Sequence, residues 1–168
     1  MKNVKIALLA LTAVVALMTL FVRIPLPTRG YFNFGDIAVV FSGLVLGHLA
    51  AAGRFWWGAA AGGIGSALAD IVGGFGLFAR ITLVAKGVEG GLCALAAGRS
   101  PVARWLFLLA GGALMVVCYF AAEAFMPNIG LQGAVAELGP NLIQAGGGIF
   151  GGRLTYAAYA RIAGGGSA

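Results

Sequence analysis

Charged residues are scarce in this 168-residue chain: they make up 10% of it, and only five of them are acidic. Soluble domains carry about a quarter charged residues, and about half of their residues are apolar. Here 61% of the residues are hydrophobic, and the mean hydropathy is +0.98. This composition excludes an ordinary soluble domain and indicates an integral membrane protein.

Residues that usually carry catalysis or hold metals are also few. The chain has two cysteines, Cys93 and Cys118, without CxxC spacing, and a single histidine, His48. We interpret the cysteines as free buried thiols and His48 as an interfacial residue. No HExxH motif, nucleotide-binding loop or Ser-His-acid set stands out, so we expect neither an enzyme nor a bound cofactor or metal. An intramembrane hydrolase is the least favoured function class.

Long apolar runs fill most of the chain, and a membrane helix needs about 20 such residues. They predict an all-α integral membrane protein, a six-transmembrane-helix bundle, with one domain over residues 1–163 and a flexible tail over 164–168. The first run is long and lacks a clear cleavage site, so we interpret it as a span and not as a removed signal peptide. The predicted spans are 4–22, 36–52, 56–72, 79–97, 103–124 and 139–160.

The formal charge of +6 follows the predicted topology. The basic residues fall at alternate turns, and loops that retain Lys and Arg face the cytoplasm. This predicts that the N-terminus and the C-terminus are both cytoplasmic, and it argues against nucleic-acid binding. The residues concerned are Lys2, Lys5, Arg54, Arg99, Arg104 and Arg161.

Polar groups cluster first in the run Tyr31-Phe-Asn-Phe-Gly-Asp36. Asn33 could cap the second span, with Asp36 favoured in its first turn by the helix dipole. The same segment, with the aromatic rings of Tyr31, Phe32 and Phe34, could form a lid that stacks on a flat ligand. The two interpretations are compatible.

The third span carries two ridges of small residues, typical of helix packing in lipid. Gly58, Gly62 and Ser66 form one ridge, and Ala61, Gly65 and Ala69 form the other. Asp70 could pair with Arg80 across the next turn or contact a ligand, and both alternatives stay open.

The later spans place polar side chains at helical intervals, and buried charges in a membrane bundle usually face a wet cavity or one another. The pairs are Lys86 with Glu89, Tyr119 with Glu123, and Asn141 with Gln144. The first pair could instead be a structural ion pair, and the last could cap a helix that begins at Pro140 or bond between helices. Their convergence favours a ligand pocket.

The runs YFNFGD, GGIGSALAD, KGVEG and PNLIQA, in this order, resemble the substrate-binding S component of energy-coupling factor (ECF) vitamin transporters. The resemblance is to the branch that takes up hydroxymethylpyrimidine, pyridoxine or riboflavin. It implies a multi-pass protein of a bacterial or archaeal cell membrane, an outer vitamin pocket formed by the first loop and spans 4–6, and no catalysis. It also implies two further kinds of partner: a transmembrane scaffold (T) component and two ATPase subunits.

The expected substrate-binding residues are Tyr31, Asn33, Lys86, Glu89, Tyr119, Glu123, Asn141 and Gln144. The family docks on its scaffold through an AxxxA face of span 1. This chain has alanines at spacings of three instead, and we assign the docking face to Ala10, Thr12, Ala13 and Ala16.

The expected function is capture of a water-soluble vitamin or precursor from outside the cell for ATP-driven uptake. The compact polar set favours pyridoxine or hydroxymethylpyrimidine, with riboflavin next. The alternatives are a stand-alone permease or channel, or a structural membrane protein that transports nothing.

Overall fold

Six helices make up most of the described chain in the computed structural model, which describes residues 2–21, 23–26 and 31–164. The prediction of an all-helical chain is confirmed. A short hairpin of β1 (Arg23–Pro25) and β2 (Tyr31–Asn33) interrupts the helices after the first. The helices are α1 (Lys2–Phe21), α2 (Gly35–Leu49), α3 (Arg54–Val72), α4 (Ala79–Ala96), α5 (Pro101–Ala124) and α6 (Gly130–Ile162).

Two helices of the described chain are long and apolar enough to cross a membrane by length and composition, α1 over Asn3–Phe21 and α5 over Pro101–Ala124. The helix α2 is equally apolar in character but has only 15 residues. The helices α3, α4 and α6 contain many glycines and most of the buried polar side chains, which lowers their hydropathy. Six spans would therefore require α3, α4 and α6 to cross the membrane with their polar side chains turned toward the inside of the bundle.

Glycines bring the helices into backbone contact. α4 packs against α3, α5 and α2, while α6 packs against α2 and α5, and α1 packs against α3 and α2. A Cβ atom at Gly62 of α3 would lie 2.5 Å from the carbonyl oxygen of Lys86 in α4. A Cβ atom at Gly148 of α6 would lie 2.5 Å from Cβ of Asp36 in α2. Only glycine permits these approaches, which confirms packing as a role of the small residues in α3.

The last helix begins earlier than its sequence predicts. We expected it to start at 139, with Pro140 in its first turn, but α6 begins at Gly130 and contains Pro140 in its interior. The error came from treating this proline as a helix start, where its missing N–H has no consequence. Packed helices tolerate an interior proline where neighbours satisfy the freed backbone groups. The extra turns add Glu137 to the inner face of the bundle.

The segment between α1 and α2 is more ordered than the predicted loop. β1 and β2 pair antiparallel, with Arg23 opposite Asn33. Arg23 fixes the hairpin because its side chain donates to the carbonyl oxygens of Leu20 (3.0 Å) and Gly73 (3.1 Å). We call this end of the bundle the hairpin end. At the other end, Leu44, Leu108 and Ile149 belong to an apolar core. Residues 27–30, between the two strands, and residues 165–168 of the predicted tail lie outside the described residues.

Candidate ligand-binding site

A polar pocket lies between the helices at the hairpin end. It encloses about 440 Å³, part of it open to solvent, and residues from α1, the hairpin, α3, α4, α5 and α6 line it. Seven of the eight predicted binding residues line this pocket: Tyr31, Asn33, Lys86, Tyr119, Glu123, Asn141 and Gln144. The eighth, Glu89, is fully buried beside Lys86. The structure thus brings the predicted set together, and its role in binding stays a prediction.

A network of charged and amide groups forms the floor of the pocket. Lys86 donates to Oδ1 of Asp36, and its Nζ lies 3.6 Å from Oε2 of Glu89. Gln144 connects two further elements, since its Nε2 donates to Oδ1 of Asp36 (3.3 Å) and its Oε1 accepts from the backbone N–H of Asn33 (3.1 Å). The network ties α2, α4, α6 and the hairpin together around one buried cation.

Asp36 therefore does more than favour the start of a helix. The residue that precedes α2 is Phe34, and no side chain caps this helix. Asn33, predicted as the cap, accepts a hydrogen bond from the backbone N–H of Gly35 (2.6 Å). The carboxylate of Asp36 turns inward to Lys86 instead, because a buried ammonium group needs a partner of opposite charge.

The roof of the pocket is held by Tyr31, whose hydroxyl donates to Oδ1 of Asp70. Burial, reinforced by the charge of Asp70, raises the pKa of Tyr31 above its ordinary value, so its phenol stays protonated and remains a donor. The rings of Tyr31 and Phe75 pack with centroids 4.4 Å apart, and the guanidinium of Arg23 lies within 6 Å of both rings. The considered pairing of Asp70 with Arg80 is not among the ion pairs of the described residues, and Arg80 is exposed.

One wall of the pocket belongs to α4 and α5. Tyr119 donates to Oγ1 of Thr82 (2.9 Å), and its ring centroid lies 5.6 Å from Nζ of Lys86. Glu123, one turn further along α5, is buried, and its Oε2 has no hydrogen-bond partner among the described residues. The same holds for the hydroxyl of Ser66 on the facing helix α3. Buried polar atoms are usually hydrogen-bonded, so these two groups are placed to bond a ligand or a water molecule in the pocket.

Several lining residues were missed as binding candidates. Thr82 stands four residues before Lys86, and Ser66 stands four before Asp70, so helical spacing from a buried charge could have identified both. Glu137 was missed because the predicted last span began at 139, two residues after it, whereas α6 begins at Gly130. The complete set of additional lining residues is Thr19, Ser66, Asp70, Phe78, Thr82 and Glu137.

The aromatic rings of the hairpin divide between two places. Tyr31 lines the polar pocket, as predicted. Phe32 and Phe34 instead pack edge to face, 5.5 Å apart, over a shallow apolar groove beside α6. Of these three rings, only that of Tyr31 lies where it could stack on a ligand in the polar pocket.

The pocket is partly open to solvent, and its volume of about 440 Å³ includes that open space. The room between the side chains is therefore smaller than this volume, and a heterocycle needs the roof or the side chains to move. The hairpin, held by Tyr31 and Arg23, is the part of the roof with the fewest contacts to the helices.

The residues predicted to dock on a scaffold protein are distributed around α1. Ala10 and Ala13 are exposed, and Ala16 is half-buried. The backbone of Thr12 contacts α3, where its carbonyl oxygen would lie 2.7 Å from a Cβ atom at Gly65. The assignment of these four residues to a docking face stays a prediction.

The fold and the site define a small, helical membrane protein with a polar pocket at one end. Among the described residues, no three His, Cys, Asp or Glu side chains are arranged to hold a metal ion. Residues 1–161 match the family model of the ECF-type riboflavin transporter, S component. The chain belongs to this family and is therefore a substrate-binding subunit of the ECF transporter type. This match confirms the resemblance to ECF S components that the sequence showed.

A relative in Pyrococcus woesei matches most of this chain. It is 39% identical over 152 residues, which cover 88% of this chain and 96% of that protein. It is described only as an uncharacterized protein in a gap 3′ region. This relative therefore adds nothing about the substrate.

Proposed function

We propose that this protein captures a flat, water-soluble vitamin or vitamin precursor from outside the cell and holds it in the polar pocket beneath the hairpin. A scaffold component and two ATPase subunits then drive its release inward. The observation that carries this proposal is the pocket itself: in a chain with few charges, buried polar groups from five helices and the hairpin converge there. An apolar bundle with a few directional polar groups is the usual design of a small-molecule site.

We propose a multi-pass arrangement with six spans, the hairpin outside and both termini in the cytoplasm. Four of the basic residues, Lys5, Arg54, Arg99 and Arg161, lie at the end opposite the hairpin, which supports this orientation. A membrane-impermeant maleimide added to intact cells should label Asn128→Cys at the hairpin end and spare Ser100→Cys at the other. The reverse pattern would refute the orientation.

For the substrate, two observations support different molecules. The compact polar set and the small size of the pocket support a single-ring vitamin such as pyridoxine or hydroxymethylpyrimidine. The family description supports riboflavin, whose three-ring system requires a larger opening of the hairpin. Direct identification is therefore the first experiment: native mass spectrometry of the purified protein should show a co-purified heterocycle in this size range.

Binding assays on pocket variants test the site. Glu89→Ala, Glu123→Ala and Asn141→Ala should each weaken binding of the identified heterocycle at least tenfold, because each removes a polar group from the lining of the pocket or from its floor. Gln132→Ala, at an exposed position of α6, is the matched control and should bind as the parent does. If all three pocket variants kept the parent's affinity, the site would lie elsewhere.

Transport assays separate this function from the alternatives. In proteoliposomes, uptake should require the scaffold component, the ATPase subunits and ATP. Uptake by the isolated chain would instead indicate a stand-alone permease or channel. The absence of any heterocycle-dependent thermal shift would favour a structural membrane protein.

A further inference from the structure

One cation lies partly inside the bundle without a counter-charge. Arg153, in the second half of α6, is half-buried, and it has no hydrogen bond or ion pair with any other described residue. The other Lys and Arg residues that the structure describes as at least half-buried all have partners. Those partners are a carboxylate for Lys86 and backbone carbonyl oxygens for Arg23, Arg54 and Arg104. Since a buried charged donor without an acceptor is unfavourable, Arg153 is placed to bind a group outside the described residues.

The acidic residues of this chain are not partners of Arg153. All five of them are buried, and they line the polar pocket at the hairpin end or form its floor. Arg153 lies nine positions before Ile162, the last residue of α6, and therefore in the half of the bundle opposite the hairpin. Its acceptor must come from another molecule that reaches this end of the bundle.

Arg153 lines a groove on the surface of the bundle between α5 and α6. The groove measures about 820 Å³, including space that is open to the surroundings. The rest of its lining is apolar or aromatic: Trp105, Phe150, Gly151, Leu154 and Ala157. The rings of Trp105 and Phe150 have centroids 5.8 Å apart, and Leu154 is 73% exposed. An exposed apolar groove beside a single cation is complementary to a molecule with an acyl chain and a negatively charged head group.

The depth of the groove matches the inner edge of a membrane. At 1.5 Å per residue, Arg153 lies about 13 Å from the end of α6, and Trp105 lies about 6 Å from the start of α5. Trp side chains concentrate at the membrane–water interface, and the long Arg side chain extends its charge toward the same level. In the proposed orientation this is the cytoplasmic leaflet, where basic grooves between helices bind the head groups of anionic lipids.

We propose that the groove between α5 and α6 binds an anionic phospholipid, with the lipid phosphate at the guanidinium of Arg153 and an acyl chain along the apolar lining. The planar guanidinium donates two parallel hydrogen bonds to one phosphate in such pairs. The groove is separate from the polar pocket, although Asn141 and Gln144 of that pocket belong to the same helix. The choice of leaflet rests on the proposed orientation, whereas the site itself does not.

The test is a lipid titration of the delipidated full chain in a mild detergent, followed by native mass spectrometry. The probes are dioleoylphosphatidylglycerol and dioleoylphosphatidylcholine, which share their acyl chains but differ in net charge. Phosphatidylglycerol should bind at least about fivefold more tightly, because one basic side chain contributes on this scale. Inorganic phosphate at the same concentration should not displace it, since phosphate makes no apolar contacts. Equal affinities for the two lipids, or displacement by inorganic phosphate, would overturn the proposal.

Variants assign the lipid preference to its residue. Arg153→Gln removes the charge, so it should weaken phosphatidylglycerol binding at least about fivefold and leave phosphatidylcholine binding unchanged. Arg161→Gln is the matched control, because it removes an exposed cation from the last turn of the same helix and should keep the preference. If Arg153→Gln fails to fold, Leu154→Glu places a carboxylate at an exposed position of the groove and should abolish the preference. An unchanged preference in the variant that folds would refute the site.

A protein occupant gives a different result. If the two lipids bind alike and Arg153→Gln instead loses co-purification with the scaffold component, the groove is a protein-docking face and the lipid proposal is wrong. Binding of the heterocycle should be the same in Arg153→Gln and in the parent, because Arg153 does not line the polar pocket. The lipid titration therefore decides this proposal whether or not the proposed substrate is correct.

Discussion

Replacing Lys86 by methionine tests the floor of the pocket. The ammonium is 3% exposed and is the counter-charge of two carboxylates, those of Asp36 and Glu89. Removal of one partner from a buried ion pair destabilises proteins by about 3–5 kcal/mol, because the other charge remains buried without compensation. For a chain of this size each kcal/mol lowers Tm by about 2–4 °C, so we expect a decrease of roughly 6–20 °C.

The assay is thermal unfolding in detergent, followed by the fluorescence of the three tryptophans. Arg80→Met is the matched control, because it removes an exposed cation from the first turn of the same helix, and it should change Tm by less than about 2 °C. The double variant Lys86→Met/Asp36→Asn removes both partners of the closest pair and should recover part of the loss. A Tm of Lys86→Met equal to that of Arg80→Met would refute the reasoning.

Two further predictions concern the contacts that position the floor and the roof. Gly148→Ala should lower stability by about 1–3 kcal/mol and weaken ligand binding, because the new methyl group collides with Asp36. Gly146→Ala is the control, since a Cβ atom there would have no neighbouring atom within 4 Å. It should be neutral or stabilising in the same thermal assay. Tyr31→Phe removes the hydroxyl that holds the hairpin to Asp70. The backbone amides of the hairpin should then exchange hydrogen at least about tenfold faster, as measured by mass spectrometry, because a hydrogen bond to a charged group contributes about 1.5–3 kcal/mol. Tyr159→Phe, at an exposed position near the other end of the bundle, should leave that exchange unchanged, and equal rates in the two variants would mean that Tyr31 does not hold the roof.

The helices and much of the pocket could be predicted from local patterns. Hydropathy depends on each residue alone, and helical spacing depends on neighbours three and four positions away, so both patterns can be read from the sequence of a single helix. Lys86 and Glu89 were placed on one face of α4 in this way, and Tyr119 with Glu123 on one face of α5. The family resemblance supplied the expectation that these faces meet.

The long-range partners of the buried charges could not be predicted. An ion pair of Lys86 with Glu89, three residues away, was one alternative, and the two groups lie 3.6 Å apart. The hydrogen bond of Lys86, however, is to Asp36, fifty residues away. Asp70 was considered as a partner of Arg80, and it binds Tyr31 instead. Such choices depend on the rotation and depth of each helix in the bundle, which are set by side-chain and backbone packing across the whole molecule.

The sequence by itself determined that this chain is a helical membrane protein with few charges and a small polar set, because composition and spacing are local properties. The tertiary structure alone decided that α6 begins at Gly130 and not at 139, and that a hairpin covers the pocket. It also decided that five acids from five helices gather at one pocket, where two of them contact a single buried lysine. Their convergence depends on glycine contacts such as that of Gly148 with Asp36, which let the helices approach until their inner faces share one cavity.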